Sequence, residues 1–182
     1  MSLTLRTLGH SNRSLEDFVA MLRAAGIRTL VDVRQQPQSA RHPQFGQDSL
    51  RSALASADIE YHWAGRQLGG HRQPRMDSAH TALMDEGLRG YADYMDSDAF
   101  KKGVVQLLNL AARAPTAIMC AERDPMHCHR SLIADYLTLQ GVEVTHLSDI
   151  GRQQPHQLRH EVRRESQRLV YDRFATAELP LD

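Results

Sequence analysis

Apolar positions along this chain alternate between short unbroken runs and helical stripes. Leu3 to Leu8 reads as a strand that breaks at Gly9-His10-Ser11. Ser14 then caps a helix, with Asp17 at the third helical position in a variant of the capping box. Leu15, Phe18, Val19 and Leu22 form its inward stripe, and Gly26 ends it. Thr29-Leu30-Val31-Asp32-Val33-Arg34 is a second strand, and the strand–helix–strand order predicts a parallel pair joined by a right-handed crossover.

Gln35 to Gln47 is polar, carries Pro37 and Pro43, and reads as a loop before a short helix near Leu50, Ala53 and Leu54. Ile59 to Trp63 is a third strand that opens into a long irregular segment, Gly65 to Arg75. Loops of that length in compact domains are usually functional or disordered. Tyr91, Tyr94 and Met95 suggest a short helix, and Asp98 to Ala112 a stronger one with Phe100, Val104, Leu107, Leu108 and Ala111 inward. After Pro115, Ala117-Ile118-Met119-Cys120 is a buried strand, and Leu132, Ile133, Tyr136 and Leu137 mark a helix that stops at Gly141. Val142 to Leu147 is a further strand, and Val162 with Leu169-Val170-Tyr171 suggests a small terminal hairpin or docked tail. The pattern predicts a three-layer α/β/α fold: one domain over residues 1–182, with a doubly wound, mostly parallel sheet in a core of 3–150 and a C-terminal extension of 151–182.

Composition narrows the class. The 182 residues carry 22 basic and 22 acidic side chains, so no net charge draws the chain to nucleic acid or anionic membrane. No apolar run reaches membrane-spanning length, and the amino terminus lacks a signal pattern. Two cysteines are too few for a secreted disulfide scaffold, so a reduced cytoplasmic setting is expected.

Candidate chemistry gathers where strands end. The first strand runs into Gly9, His10 and Ser11, the second carries Asp32 and Arg34, and the strand to Cys120 runs into Glu122 and then Cys128-His129-Arg130. In an open α/β sheet these ends share one rim, where ligands bind. Helix starts there offer backbone N–H groups to anions, which Ser11, Arg34 and Arg130 would supplement. His10 with Asp32 or Glu122 forms a candidate acid–base pair. Cys128, beside His127, His129 and Arg130, sits in surroundings that favour a thiolate, with His10 or His129 as base. Cys120 reads as a small buried residue. Tyr61, Gly69, Gly70 and Cys120 are expected to line the substrate.

These residues predict an enzyme of hydrolase or transferase type, acting on a small phosphorylated or nucleotide-like substrate. The alternatives are a nucleotide or nucleic-acid binding module without chemistry, and a thiol-redox or metal protein using Cys120 and Cys128. Arg66, His71, Arg72 and Arg75 beside Tyr61 and Trp63 have the basic-plus-aromatic mix that suits single-stranded nucleic acid. A divalent metal is left open, with no ligand set assigned, because the cysteine and histidine spacing is not that of a paired zinc module. Apolar residues of the tail would suit a homodimer contact.

The sequence resembles the family catalogued as domain of unknown function 488. The likeness lies in Thr7-Leu8-Gly9-His10-Ser11, Val31-Asp32-Val33-Arg34 with Pro37, Tyr61 followed by Leu68-Gly69-Gly70, and Tyr91, Met95, Phe100 and Gly103. It continues through Cys120-Ala121-Glu122, Cys128-His129-Arg130 and the ending at His156, Leu158 and Arg168-Leu169-Val170-Tyr171, where Gln167 replaces the family's usual glycine. The resemblance implies a single α/β domain and no established activity. The Asp-Val-Arg strand is also similar to that of rhodaneses, and the strand–cysteine–arginine–helix order to cysteine phosphatases. The cysteine-to-arginine spacing departs from both, so this likeness is one of fold alone.

Overall fold

The computed structural model describes residues 2–174. Its centre is a six-stranded sheet in the order β3-β2-β4-β1-β5-β6. The strands are β1 (Thr4–Gly9), β2 (Thr29–Asp32), β3 (Glu60–Trp63), β4 (Thr116–Cys120), β5 (Glu143–Asp149) and β6 (Arg152–Pro155). The first five run parallel, and β6 pairs antiparallel with β5 at one edge. Helices α1 (Leu15–Ala24) and α2 (Gln47–Ser56) follow β1 and β2. Helices α3 (Gly65–Leu68), α4 (Glu86–Tyr94) and α5 (Asp98–Arg113) lead from β3 to β4, and α6 (Arg130–Leu139) leads from β4 to β5.

Side chains alternate across a strand, and that alternation separates two cores. Leu8, Leu30, Ala117 and Met119 face α1 and α2, packing with Phe18, Met21, Leu22, Leu50 and Leu54. Leu5, Val31, Ile118 and Cys120 face the other way, onto Tyr91, Phe100, Leu107, Leu132 and Ile133 of α4, α5 and α6. The doubly wound α/β arrangement expected from the pattern is therefore present. The expected pairing of β1 with β2 is not: β4 inserts between them and bonds to both. All five residues of β4 are buried, and a strand that is apolar but for Thr116, shielded on both faces, is a stable occupant of a sheet centre.

The insertion positions the site. Connections from β1 and β2 leave toward the α1/α2 face, whereas the connection from β4 leaves toward α6 on the other face. Each neighbour of β4 therefore marks a point where connections diverge and a crevice opens at the carboxyl ends. Local signals behave as expected at α1, where Ser14 Oγ accepts from the Asp17 amide at 3.1 Å. The α6 helix ends at Gly141, whose φ of +87° suits a residue without a Cβ.

The extension folds as β6 and then an antiparallel hairpin of β7 (Val162–Glu165) and β8 (Arg168–Tyr171). The turn closes without the glycine, because Ser166 takes the left-handed conformation with φ of 57°. Polar bonds join the extension to the core. His146 on β5 accepts a hydrogen bond from Thr7 Oγ1, and its Nε2 lies 2.7 Å from His156 Nδ1. His156 Nε2 in turn bonds Asp135 Oδ1 on α6 at 2.7 Å, and Tyr171 donates to Asp135 Oδ2 at 2.9 Å. Asp135 is fully buried, so its oxygens depend on these partners. The sequence pattern carries no sign of this network, since its members are spread over more than a hundred residues. No helix among the described residues is long and apolar enough to cross a membrane.

Two outcomes follow from the network. Tyr171→Phe strands Asp135 Oδ2 without its hydrogen bond and should lower unfolding stability by about 1–3 kcal/mol in urea titrations. Burial foremost, then His156 and Arg130, hold the His146 pKa down at about 3. The unfolded chain therefore takes up this proton first. The contribution is intact above about pH 6.5 and is lost as pH falls toward 3. His146→Asn should flatten that part of the stability–pH curve.

Candidate functional site

The crevice is a cleft of about 430 Å³ at the carboxyl end of the sheet. His10 comes from the end of β1, and Arg34 with Gln35, Gln36, Gln38 and Ser39 from the loop after β2. Gly70, His71 and the start of α4 at Asp85 form the opposite wall, and the β4–α6 turn supplies Cys120 to Glu122 and His127 to His129. Of the residues expected at the site, His10, Arg34, Gly70, Cys120, Glu122, Cys128 and His129 line the cleft. Its glutamines, Ser39 and Asp85 were not anticipated, because a polar loop residue carries no period to mark the direction it faces.

Asp32 is fully buried and serves as structural counter-ion. Its Oδ1 accepts from the Arg34 amide and Nε, and its Oδ2 from Arg34 Nη2 at 2.7 Å and from the Tyr61 hydroxyl. Tyr61 is thus a prop beneath the cleft, not one of its lining residues. Burial, with Asp32 second, pushes the Tyr61 hydroxyl well above its ordinary value, so it stays a donor. Arg34 is neutralised by this fork, which removes the free cation expected for an anion. Its Nη1 lies 3.5 Å from His10 Nε2.

His10 Nδ1 donates to the Ser11 carbonyl at 2.9 Å, which leaves Nε2 as the bare nitrogen. The ring stacks on Phe45 with centroids 4.5 Å apart. Burial, opposed by that hydrogen bond and reinforced by Arg34, lowers its pKa to about 4, so His10 is neutral at pH 7. It hydrogen-bonds neither Asp32 nor Glu122, and the expected acid–base pair does not form: Asp32 is occupied by Arg34 and Tyr61, while the exposed Glu122 side chain accepts from the Asp124 amide. Ser11 adopts φ of 48° outside the cleft, with Arg123 Nε 3.5 Å from its hydroxyl. Gly69 packs beneath: a Cβ there would lie 2.2 Å from the Gly65 carbonyl oxygen. Gly70 faces His129, whose Nδ1 would be 3.1 Å from an added Cβ.

Arg130 also departs from expectation. Its side chain points inward and is 1% exposed, not open to a ligand. Nη1 donates to Thr7 Oγ1 at 3.0 Å, and Nη2 to the Glu122 and Arg123 carbonyl oxygens at 2.6 and 3.3 Å. Its Nε has no hydrogen-bond partner. Among the described residues no carboxylate pairs with this guanidinium. Burial works against its charge, and the neighbouring Cys120 and Cys128 sulfurs outweigh that and hold its pKa up.

The two sulfurs lie 2.8 Å apart, and both thiols are free. The hydrogen bond from Cys120 lowers the Cys128 pKa well below the thiol value, against burial and with help from His129 and Arg130. Burial and the same bond raise Cys120. Between the two, the surroundings favour Cys128 as the anion and Cys120 as the thiol that donates to it. His129 Nε2 donates to the Val33 carbonyl at 3.1 Å, so Nδ1 is the nitrogen facing Cys128 Sγ, 3.5 Å away. The ring is further held against Tyr91, centroids 4.9 Å apart. Cys128 precedes the α6 helix instead of lying within its first turn, since the cap of α6 is His129.

Among the described residues no group of three or more histidine, cysteine or acidic side chains has the geometry to hold a metal ion. In the irregular segment after α3, Arg72 lies over the Tyr94 ring at 3.8 Å and donates to the Gly69 and Arg66 carbonyls. That arginine braces the loop.

A family profile described as "Domain of unknown function DUF488" matches residues 14–137, a stretch that holds every cleft-lining residue except His10. No curated protein and no solved structure matches the chain.

Iodoacetamide should alkylate Cys128 at a rate that stays level well below the pH of about 8.5 at which an ordinary thiol ionises. Cys120 should remain unlabelled. Peptide mass spectrometry across a pH series checks both, and a rate falling in step with an ordinary thiol pKa would reject the thiolate assignment.

Proposed function

The chain belongs to the family described as domain of unknown function DUF488, and we propose that it is a cysteine-dependent enzyme of hydrolase or transferase type. Cys128 is the nucleophile, His129 the base, and the substrate a small polar molecule held in the cleft. The observation that carries this reading is the hydrogen-bond series Cys128 Sγ, His129 Nδ1, His129 Nε2, Val33 carbonyl. It has the three parts of an activated nucleophile: attacking atom, base within reach, and a third group that orients the base.

Electrostatics support it from a second direction. A buried guanidinium without a counter-charge is costly, and a Cys128 thiolate supplies that charge. The proton leaves Cys128 because the neighbouring thiol, the imidazole and the guanidinium all favour the anion. Attack on an electrophilic carbon or phosphorus then makes a thioester-like or thiophosphoryl intermediate, and His129 passes a proton to the leaving group. Neutral His10 offers its bare Nε2 to a hydroxyl or water on the cleft's far side.

The walls favour a neutral polar substrate over a phosphorylated one. Arg34 is the cleft's sole arginine or lysine among the described residues and is paired to Asp32, while Asp85 and Glu122 are acidic. Three glutamines and Ser39 offer paired donors and acceptors suited to amide or hydroxyl groups.

An activated ester tests this without knowledge of the natural substrate. With p-nitrophenyl acetate, reduced protein should give a burst of up to one nitrophenolate per chain and an acetyl mass adduct on Cys128. Cys128→Ala should abolish both, and His129→Gln should slow the burst by about 10²–10⁴-fold, the usual worth of a positioned base. An unchanged burst in Cys128→Ala would reject the proposal.

A further inference from the structure

The nucleophile mechanism uses Cys120 only as a hydrogen-bond donor, yet its sulfur lies 2.8 Å from that of Cys128, close enough for chemistry of its own. Catalysis by a cysteine and a histidine needs no such neighbour. Both sulfurs line the cleft, although each residue is under a tenth exposed, so a small molecule entering it meets both. They sit at opposite ends of the turn from Ala121 to His127, which contains one short 3-10 helix, Pro125–His127.

Resting on the reading of Cys128 as a thiolate, we propose that Cys120 and Cys128 form a reversible dithiol–disulfide couple, exchanging with small disulfides and thiols in the cleft, and that buried Arg130 makes the couple strongly oxidising. In the oxidising direction the Cys128 thiolate attacks one sulfur of a small disulfide RSSR. The S–S bond of RSSR breaks, RS⁻ leaves, and a mixed disulfide forms on Cys128. Cys120 then attacks Cys128 Sγ as its proton passes to His129, which delivers it to a departing thiolate. The second RS⁻ leaves and the internal disulfide closes. One thiolate, one thiol and RSSR become a protein disulfide, RS⁻ and RSH, with two electrons passing from protein to RSSR.

Charge gives the couple its character. The reduced pair is the anion nearest Arg130: Cys120 Sγ and Arg130 Nη2 meet on the same Glu122 carbonyl oxygen, the Arg130 amide lies 3.5 Å from Cys128 Sγ, and the guanidinium's hydrogen-bond partners are a hydroxyl and two carbonyl oxygens, none of them charged. The disulfide carries none. Oxidation leaves the guanidinium buried and uncompensated, so the reduced form is the favoured one. A disulfide whose reduced partner is stabilised in this way is a ready oxidant. The same argument predicts an inversion. A native cross-link ordinarily raises stability by restricting the unfolded chain. Here closure removes the counter-ion of a buried charge, and the oxidised protein should be the less stable form.

The test equilibrates the protein across reduced and oxidised glutathione ratios, quenches in acid, alkylates, and weighs the intact chain. A loss of two mass units with protected thiols, at the oxidising end of the series only, is expected. Thermal unfolding of the two wild-type forms should then give a lower Tm for the oxidised one. Arg130→Met should shift the glutathione midpoint at least tenfold toward easier oxidation. If that variant does not fold, the wild-type Tm comparison decides alone. Glutathione adducts on Cys128 without an internal disulfide would overturn the couple. A disulfide that raises Tm would overturn the role of Arg130. Neither result touches the nucleophile reading, which stands or falls on the ester burst of the reduced protein.

Discussion

A buried positive charge without a carboxylate partner governs the centre of this molecule. Arg130 begins α6, yet its side chain turns back under the sheet rim and is among the largest fully buried groups in the chain. Burying a charge is tolerated only where other groups replace water. Thr7 on β1 and the Glu122 and Arg123 carbonyls after β4 supply hydrogen bonds, and the cysteine pair supplies the opposite charge. One guanidinium therefore ties the first strand, the central strand, the reactive turn and the following helix together. The Cys120 hydrogen bond, then His129 and this guanidinium, lower the Cys128 pKa, so packing and reactivity are linked.

The hydrogen bonds continue away from the cleft with a consistent direction. Arg130 donates to Thr7, and Thr7 donates to His146 Nδ1, which leaves His146 Nε2 as donor to His156 and His156 Nε2 as donor to Asp135. Donors point from the cation toward the buried carboxylate, and polarised chains of this kind reinforce one another. The far end holds the C-terminal extension, since Tyr171 and the Arg159 amide also bond Asp135. Arg159 Nη1 in addition donates to the Met126 carbonyl at 2.7 Å, within the turn that carries Cys128. The extension lies beyond the stretch that the family profile matches, yet it braces the reactive turn from outside while Arg130 braces it from within.

The same economy explains the cleft's polarity. The two arginines expected to meet an anion are both spent internally: Arg34 on Asp32 and Arg130 on the turn's carbonyls. What faces solvent is a set of uncharged glutamines, a serine and several histidines, beside two acids. Counting cations at strand ends pointed to an anion site, because a count records charge and not the direction in which it is used.

The sequence by itself determined most of the elements, their α/β class and the rim, though not β6 or the short α3, which carry no apolar period. Apolar runs and stripes respond to burial on one face or two, a local property that period and capping residues such as Ser14 and Gly141 report directly. It also singled out Cys128 and His129, since adjacent residues remain neighbours in any fold. Only the tertiary structure decided that β4 separates β1 from β2, because strand order depends on which edges pair, and parallel edges are chemically alike. It alone brought Cys120 onto Cys128, Arg34 onto Asp32 and Tyr61, and Thr7, His146, His156 and Asp135 into one chain. Those contacts join residues from separate elements, and their hydrogen bonds exist only once the sheet has set the distances.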